Sequence, residues 1–175
     1  QEMGYSVRQG VVVGYDYRLG SEEFANAVAE VLAGNEIPVS LARDAAPTPT
    51  ISFSVLDKGA AGGVIITASH NPPTDNGFKV RDHRGAAIAP DELKRIEAQI
   101  PASLEEVERT PLPSAMGRGL VEVFDPGPAY TWYVKENVDL EPIKHSGLKI
   151  AYDAMWGVGT GWLERLLVGG STTIH

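Results

Sequence analysis

Short apolar runs recur along the chain and predict its strands. Runs at 10–15 (GVVVGY), 37–42 and 63–67 (GVIIT) each have a strand's length. The first and third are continuous in apolar character, as strands buried on both faces are. A fourth run, 120–124, alternates apolar and polar residues and indicates an edge strand.

Apolar residues at helical spacing predict helices between these strands. The first helix begins with Ser21 as its N-cap and ends before Gly34. Its apolar positions are Phe24, Val28, Val31 and Leu32. Further helices are predicted at 50–58, at 91–100, after Pro126 and at 162–168.

The alternation of strands and helices predicts an α/β fold, with a mostly parallel mixed sheet flanked by helices. Residues 78–80 and 86–88 predict a hairpin around 82–85. From 101 to 119 the periodicity is lost and prolines and glycines accumulate, so we expect a surface connection there.

The last 29 residues open a second unit on the same plan. A strand at 148–152 precedes a glycine-rich turn and the helix at 162–168. One strand and one helix cannot bury a core, so we expect a fragment of a longer protein. The predicted division is an α/β domain with its trailing linker at 1–119, its remaining strand and helix at 120–146, and the start of a truncated second domain at 147–175.

Charge and composition narrow the classes of function. With 15 basic and 23 acidic residues the net charge is −8, which disfavours nucleic acid as a partner. The chain has no cysteine, which excludes disulfides, thiolate catalysis and cysteine-bound zinc. No apolar run reaches the roughly 18 residues of a membrane span, and residues 1–5 show no signal-peptide pattern. We expect a cytoplasmic protein without a membrane partner.

The segment 63–79, GVIITASHNPPTDNGFK, carries the candidate chemistry. Its strand ends at Thr67, and the carboxyl ends of strands in open α/β sheets are where ligands bind. Ser69 would therefore project from the rim of the sheet, on a loop that two prolines stiffen. Gly77 permits close backbone approach, and Lys79 adds a mobile positive charge suited to phosphate.

Ser69 and His70 alone would also fit ordinary turn chemistry, in which small polar side chains cap free backbone groups. A serine hydrolase is another interpretation of Ser69 and His70. The chain has no G-x-S-x-G turn, however, and Ser69 is adjacent to the histidine rather than across a fold from it.

The whole string TASHNPP followed by NGFK resembles the signature of the α-D-phosphohexomutase superfamily, the phosphoglucomutases and phosphomannomutases. Residues 14–18 (GYDYR) are similar to the family's Gly-Tyr-Asp-x-Arg motif, and 46–50 (APTPT) to its proline loop. Residues 152–159 (YDAMWGVG) resemble the start of its second domain. The resemblance extends from Gly14 to the end of the chain.

This resemblance implies that Ser69 is a phosphoserine that carries the transferred phosphoryl group and binds Mg²⁺ through its phosphate. Lys79 and Arg18 would offset charge on that group. Either Lys79 or His70 would move the proton. The implied partners are glucose or mannose 1- and 6-phosphate and a hexose 1,6-bisphosphate.

Other family features are missing from the sequence. A Phe-Gly-Thr strand would precede Gln1, and the Asp-Gly-Asp-Gly-Asp metal loop and the sugar-binding loops do not occur. We therefore expect residues 1–175 alone to be inactive. A noncatalytic sugar-phosphate-binding module is the alternative. The form NGFK is closer to the glucose/mannose branch than to the glucosamine branch.

Overall fold

The computed structural model describes residues 6–175, and within them a five-stranded sheet has the order β4-β3-β1-β2-β5. Its strands are β1 (Val11–Tyr15), β2 (Val39–Ala42), β3 (Gly62–Ile66), β4 (Phe78–Arg81) and β5 (Val121–Phe124). β1 runs parallel to β2 and β3, β5 runs parallel to β2, and β4 is antiparallel to β3. The predicted α/β fold with a mostly parallel mixed sheet is confirmed. Residues 1–5, where no signal-peptide pattern was expected, lie outside the described residues.

The helices connect and cover these strands. They are α1 (Ser21–Gly34), α2 (Thr48–Asp57), α3 (Pro90–Glu97), α4 (Leu112–Gly117), α5 (Gly127–Asn137), α6 (Glu141–Lys144) and α7 (Trp162–Leu167), with 3₁₀ turns at Val7–Gln9 and Leu104–Glu106. α2 begins two residues before its predicted start. Pro49 lies in its first turn, where the missing N–H has no helical partner to lose.

One face of the sheet is covered by α1, but through a different side of the helix from the predicted one. Ala25, Ala29 and Ala33 are fully buried, whereas Phe24 is 52% exposed. Three alanines spaced four residues apart let the helix backbone lie close to the sheet, which leaves the larger side chains at its flank. There they line an open apolar groove of about 680 Å³ together with Val64, Ile66 and Phe78.

The opposite face of the sheet is covered by α2. Ile51 and Val55 are fully buried in one cluster with Val12 and Ile65. A Cβ atom on Gly14 of β1 would lie 2.5 Å from the Ile51 side chain, so this close packing requires glycine. The domain therefore has three layers, with helices on both sides of the sheet.

Ser21 is the first residue of α1 rather than its N-cap, so this prediction was wrong. The N-cap is Gly20, whose φ of 78° is left-handed. Ser21 is fully buried, and its hydroxyl bonds to side chains outside the helix. Gly34 likewise belongs to the helix, and Asn35 is the C-cap.

The connection predicted at 101–119 contains the short helix α4. Its Ala115 is fully buried in the same core cluster as the alanines of α1. A helix of six residues is too short to show a clear period, and its proline and glycine resemble those of a loop.

Two other predicted elements are weaker than expected. The second arm of the hairpin is reduced to one bridge, Arg81 to Ala87, although the turn at Asp82 is present. None of the described residues Pro90–Glu97 is buried, so the apolar side of α3 faces solvent and Ile96 is 48% exposed.

The final segment forms a small second sheet. β6 (Lys149–Ile150) and β7 (Thr173–Ile174) are parallel, with α7 between them along the chain. The strand predicted at 148–152 is shorter than expected, and β7 was not predicted. Four aromatic rings, of Phe53, Tyr130, Tyr133 and Trp162, join α2, α5 and α7. The predicted domain boundaries stay a prediction.

Across residues 6–175, we find no helix that is both long enough and apolar enough to cross a membrane.

Candidate active site

The candidate site lies where β1 and β3 end. These parallel neighbours pair Tyr15 with Ile66, so both strands terminate at the same edge of the sheet. The N–H of Asp16 donates to the carbonyl of Ile66 at 3.1 Å and ties the two strand ends together. Ser69 follows three residues after Ile66 and is exposed, whereas Thr67 and Ala68 are buried.

The backbone at Ser69 is held in a left-handed conformation, with φ of 55°. Its N–H donates to Thr67 Oγ1 at 2.9 Å, which fixes the turn out of the strand. The Thr67 N–H donates to the carbonyl of Gly77 at 2.9 Å and closes the loop. A Cβ atom on Gly77 would lie 2.7 Å from the Thr67 oxygen, so this closure requires glycine. A strained, fully specified loop of this kind is typical of functional sites.

Lys79 contacts the serine directly. It lies in β4, opposite Ile65 of the antiparallel neighbour β3, near the strand end from which Ser69 emerges. Its Nζ donates to Ser69 Oγ at 2.5 Å. The ammonium group is therefore in contact with the oxygen that would carry a phosphoryl group, where a positive charge has its largest effect on transfer.

Arg18 bonds to the backbone of the serine loop. Its Nη1 donates to the carbonyls of Pro72 (2.7 Å) and Asp75 (3.1 Å), and its Nη2 to those of Ser69 (2.8 Å) and Asn71 (2.7 Å).

The remaining donor of Arg18, Nε, lies 3.6 Å from Asp16 Oδ2. Four of the five N–H groups of the guanidinium thus donate to carbonyls of the serine loop, and Nε faces Asp16 beyond hydrogen-bond distance. In this arrangement Arg18 holds the backbone of the serine loop, and its expected effect on the charge of a phosphoryl group stays a prediction.

A second polar network, which the sequence did not reveal, holds the loop from its other end. Asp16 Oδ1 accepts from the hydroxyl of Ser21 at 2.7 Å and from the N–H of Arg18 at 2.9 Å. Asn76 donates to Ser21 Oγ at 2.9 Å and accepts from the N–H of Gly77 at 2.8 Å. The asparagine of NGFK therefore links the serine loop to the start of α1.

His70 is exposed, and among the hydrogen bonds and ion pairs of residues 6–175 we find none that its ring makes. Lys79, and not His70, is the residue in contact with Ser69 Oγ. Which of them moves a proton stays a prediction.

Tyr15 secures the neighbouring strand ends. Burial raises the pKa of its hydroxyl to about 12, and the nearby carboxylates of Glu22 and Asp44 act in the same direction. The hydroxyl remains protonated at neutral pH and donates to the carbonyl of Arg43 at 2.9 Å. The end of β1 is thereby tied to the residue that follows β2.

Ser69 and Arg18 line an open cleft of about 670 Å³. One wall is the serine loop with the turn after β1, and the other is the glycine-rich turn before α7. Its lining residues are Asp16, Tyr17, Arg18, Leu19, Ser69, Asn71, Pro73, Thr74, Met155, Trp156, Gly157 and Val158. The similarly large apolar groove beside α1 is lined by no titratable side chain, so it offers no chemistry of this kind.

The donors present in the described part of the chain do not match those of the expected Mg²⁺ site. Within residues 6–175, no three His, Asp or Glu side chains converge as metal ligands. Asp16, the carboxylate of the cleft, already accepts from Ser21 and from the backbone of Arg18. This part of the chain alone therefore does not form a magnesium site.

Comparison with known proteins agrees with this architecture. The family model described as "Phosphoglucomutase/phosphomannomutase, alpha/beta/alpha domain I" matches residues 2–106. A solved structure from Thermus thermophilus, described as a candidate phosphomannomutase, is 38% identical with a TM-score of 0.80. The match covers 94% of this chain and 36% of the Thermus thermophilus chain.

Two further relatives carry other names within the same group. A phosphoglucosamine mutase of Solidesulfovibrio magneticus is 36% identical, over 87% of this chain and 33% of the relative. A phosphoglucomutase of Staphylococcus epidermidis is 44% identical, over 51% of this chain and 16% of the relative. The chain thus spans a third or less of these two relatives. It belongs to the phosphoglucomutase/phosphomannomutase family, the α-D-phosphohexomutases.

Proposed function

We propose that this chain is the phosphoserine-bearing part of a phosphohexomutase, which interconverts hexose 1-phosphate and hexose 6-phosphate. The observation that carries the proposal is the 2.5 Å contact between Lys79 Nζ and Ser69 Oγ, on a strained loop at the strand ends. Membership of the family supports it, since its named members are mutases of hexose phosphates.

The proposed reaction has two balanced half-steps. In the first, the P–O bond at Ser69 Oγ breaks and a P–O bond to a sugar hydroxyl forms; the proton of that hydroxyl ends on Ser69 Oγ. The product is a hexose 1,6-bisphosphate. In the second, Ser69 Oγ attacks the other phosphate, its proton passes to the departing sugar oxygen, and the phosphoserine is restored.

Lys79 has the central role in this scheme. Ser69 Oγ is the leaving atom of the first half-step and the attacking atom of the second, and it gains or loses negative charge in both. An ammonium donor already bonded to that oxygen stabilises the charge without moving. We assign the charge-offsetting role to Lys79 and a positioning role to Arg18. Lys79 is also the better placed of the two candidates for moving the proton, since among the described residues Lys79 and not His70 is hydrogen-bonded to Oγ.

When bound, Mg²⁺ would neutralise charge on the phosphoryl group. In this chain only the phosphate of Ser69 would contribute a ligand, and carboxylates from outside residues 1–175 would complete the site.

Glucose and mannose phosphates are the proposed substrates, because residues 76–79 read NGFK, the form closer to the glucose/mannose branch. The cytoplasm is the proposed location.

The test is turnover of glucose 1-phosphate and mannose 1-phosphate by the full-length protein that contains this chain. We expect conversion to the 6-phosphates, and loss of it in Ser69→Ala. Ser114→Ala is the matched control, since Ser114 is exposed on α4 away from the cleft. Tight binding of hexose phosphates without turnover would instead identify a noncatalytic sugar-phosphate-binding module and overturn the proposal.

A further inference from the structure

The turn between β6 and α7 presents two large side chains to the cleft. Met155 is 80% exposed and Trp156 is 96% exposed, and both line the cavity that Ser69 lines. Tryptophan is seldom left almost wholly in solvent, because its large apolar surface favours burial. An almost fully exposed indole in the same cleft as the proposed phosphoserine therefore requires an explanation.

The backbone holds this pair in an unfavourable conformation. Met155 and Trp156 have φ of 47° and 61°, in the left-handed region that residues with side chains avoid. The turn is nevertheless well specified. Asp153 Oδ1 accepts from the N–H of Met155 at 2.8 Å, and the N–H of Gly157 donates to the Ala154 carbonyl at 2.8 Å. Such an outlier, maintained by its surroundings, points to function.

Packing within residues 6–175 does not account for Trp156. Trp162, six residues later in the same segment, is packed against other side chains and serves as a comparison. Its ring lies 5.8 Å from that of Tyr130, and the guanidinium of Arg165 lies 4.8 Å from its centroid. Trp156 has no such ring or cation partner among the described residues.

A hexose phosphate has two parts, and each part suits different side chains at the cleft. Its phosphate is anionic and suits Ser69 and Lys79. Its ring carries C–H groups on each face, and these pack favourably on the flat apolar face of an aromatic ring. A substrate that must present first one end and then the other to Ser69 also needs a ring contact that is not directional. An indole face provides such a contact, whereas a set of hydrogen bonds would favour one orientation.

We propose that Trp156 is a substrate-positioning residue, whose indole packs against the ring of the hexose while the phosphoryl group lies at Ser69. This inference rests on the proposed mutase function. Tyr17, which is 62% exposed in the same cleft, is the neighbouring aromatic side chain.

The test is steady-state kinetics of the full-length protein with glucose 1-phosphate, alongside inhibition by inorganic phosphate, which has no sugar ring. Trp156→Ala should raise KM about tenfold, a loss typical of one aromatic contact, and leave kcat within a few-fold of wild type. The inhibition constant of phosphate should not change. Trp156→Phe should recover most of the affinity, and Trp156→Leu should not.

Trp132→Ala is the matched control, because Trp132 is also an exposed tryptophan (62%) but lies on α5 and not in the cleft. An unchanged KM in Trp156→Ala, with a wild-type enzyme that turns over, would overturn this inference alone. Equal losses of hexose phosphate and inorganic phosphate affinity would assign Trp156 a structural role and overturn it too. A wild-type protein with no mutase turnover would overturn the proposed function and this inference together.

Discussion

At the scale of single residues, Lys79 and Ser69 are the proposed reactive pair, and they are in direct contact. Lys79→Ala removes the donor on Ser69 Oγ, so we expect kcat to fall by roughly 10²–10³. The Lys79 side chain lies at the sheet rim, so the melting temperature should change little. Steady-state kinetics and thermal melts of the full-length protein test this. Lys94→Ala, which removes an exposed lysine of α3, is the control. Turnover within a few-fold of wild type would remove Lys79 from the mechanism.

Arg18 should behave differently from Lys79, because it acts through the loop. In Arg18→Lys a single ammonium replaces a planar fork that donates to four carbonyls, so the charge is kept and the geometry is lost. We expect slower turnover together with faster amide hydrogen exchange across residues 69–76.

Lys79→Ala is the comparison for Arg18→Lys, since it should slow turnover without changing that exchange. Full activity with unchanged exchange in Arg18→Lys would show that a positive charge alone is sufficient at this position.

The contacts of these residues were only partly predictable from sequence. The motif identified Ser69, Lys79 and Arg18, and the spacing of ten residues was consistent with the contact between the first two. The orientation of Arg18 depends on four carbonyls of a loop more than fifty residues away, and no local pattern encodes that. Asn76 was missed for the same reason, since its partner Ser21 was interpreted as a helix cap.

At the scale of elements, the turn after β4 provides a test of the hairpin. Asp82 Oδ1 accepts from the N–H groups of Arg84 and Ala86, both at 2.9 Å. Burial acts to raise the pKa of this carboxyl, but these two bonds and the Arg84 guanidinium outweigh it and lower the pKa below its ordinary value of 3.8. A folded-state pKa below the unfolded one means that the stabilisation is present above about pH 4 and is lost as the pH falls further.

Asp82→Ala should therefore lower the melting temperature at pH 7 by roughly 2–4 °C. The difference from wild type should shrink at about pH 3, below the ordinary carboxyl pKa of 3.8, because protonation of this carboxyl in the unfolded chain removes part of the stabilisation. Thermal melts of both proteins at the two pH values measure this, with Asp57→Ala as a control for an exposed carboxylate at a helix end. A difference that is the same at both pH values would show that the charge of Asp82 contributes nothing to the turn.

Strands and helices were predictable where a single sequence pattern determined their position. The buried strands β1 and β3 are nearly continuous apolar runs, and they were located to within a residue or two. The face of α1 was misassigned because alanine is small: the pattern gave weight to Phe24 and Val28, while close approach to the sheet selected Ala25, Ala29 and Ala33. Helix α4 was missed because six residues hold fewer than two turns.

At the scale of the whole molecule, the cleft is formed by segments from three parts of the chain. The motifs around Asp16, Ser69 and Trp156 were each recognisable in the sequence. The sequence did not show that the three motifs line one cavity. That proximity depends on the packing of α5 against α2 and α7, through Phe53, Tyr130 and Trp162. Contacts between rings so far apart in sequence leave no periodic signal.

The proposed distribution of the site over a longer protein predicts the behaviour of residues 1–175 alone. Because the described residues contain no convergent carboxylates for a metal, the isolated chain should have no measurable mutase activity. It should also bind Mg²⁺ only weakly. Turnover assays with glucose 1-phosphate and calorimetric titration with MgCl₂ test both expectations. Substantial turnover by the isolated chain would show that the carboxylates and sugar loops are dispensable.

The central claim is that Ser69 carries the transferred phosphoryl group. Intact mass and peptide mapping of freshly purified full-length protein test it most directly. We predict one phosphate, located on Ser69 and absent from Ser69→Ala, which is lost on incubation with a hexose monophosphate and restored by the hexose 1,6-bisphosphate. A phosphate that maps to Ser21 or Ser103, or a Ser69 that stays unmodified after incubation with the bisphosphate in a protein with mutase turnover, would contradict it.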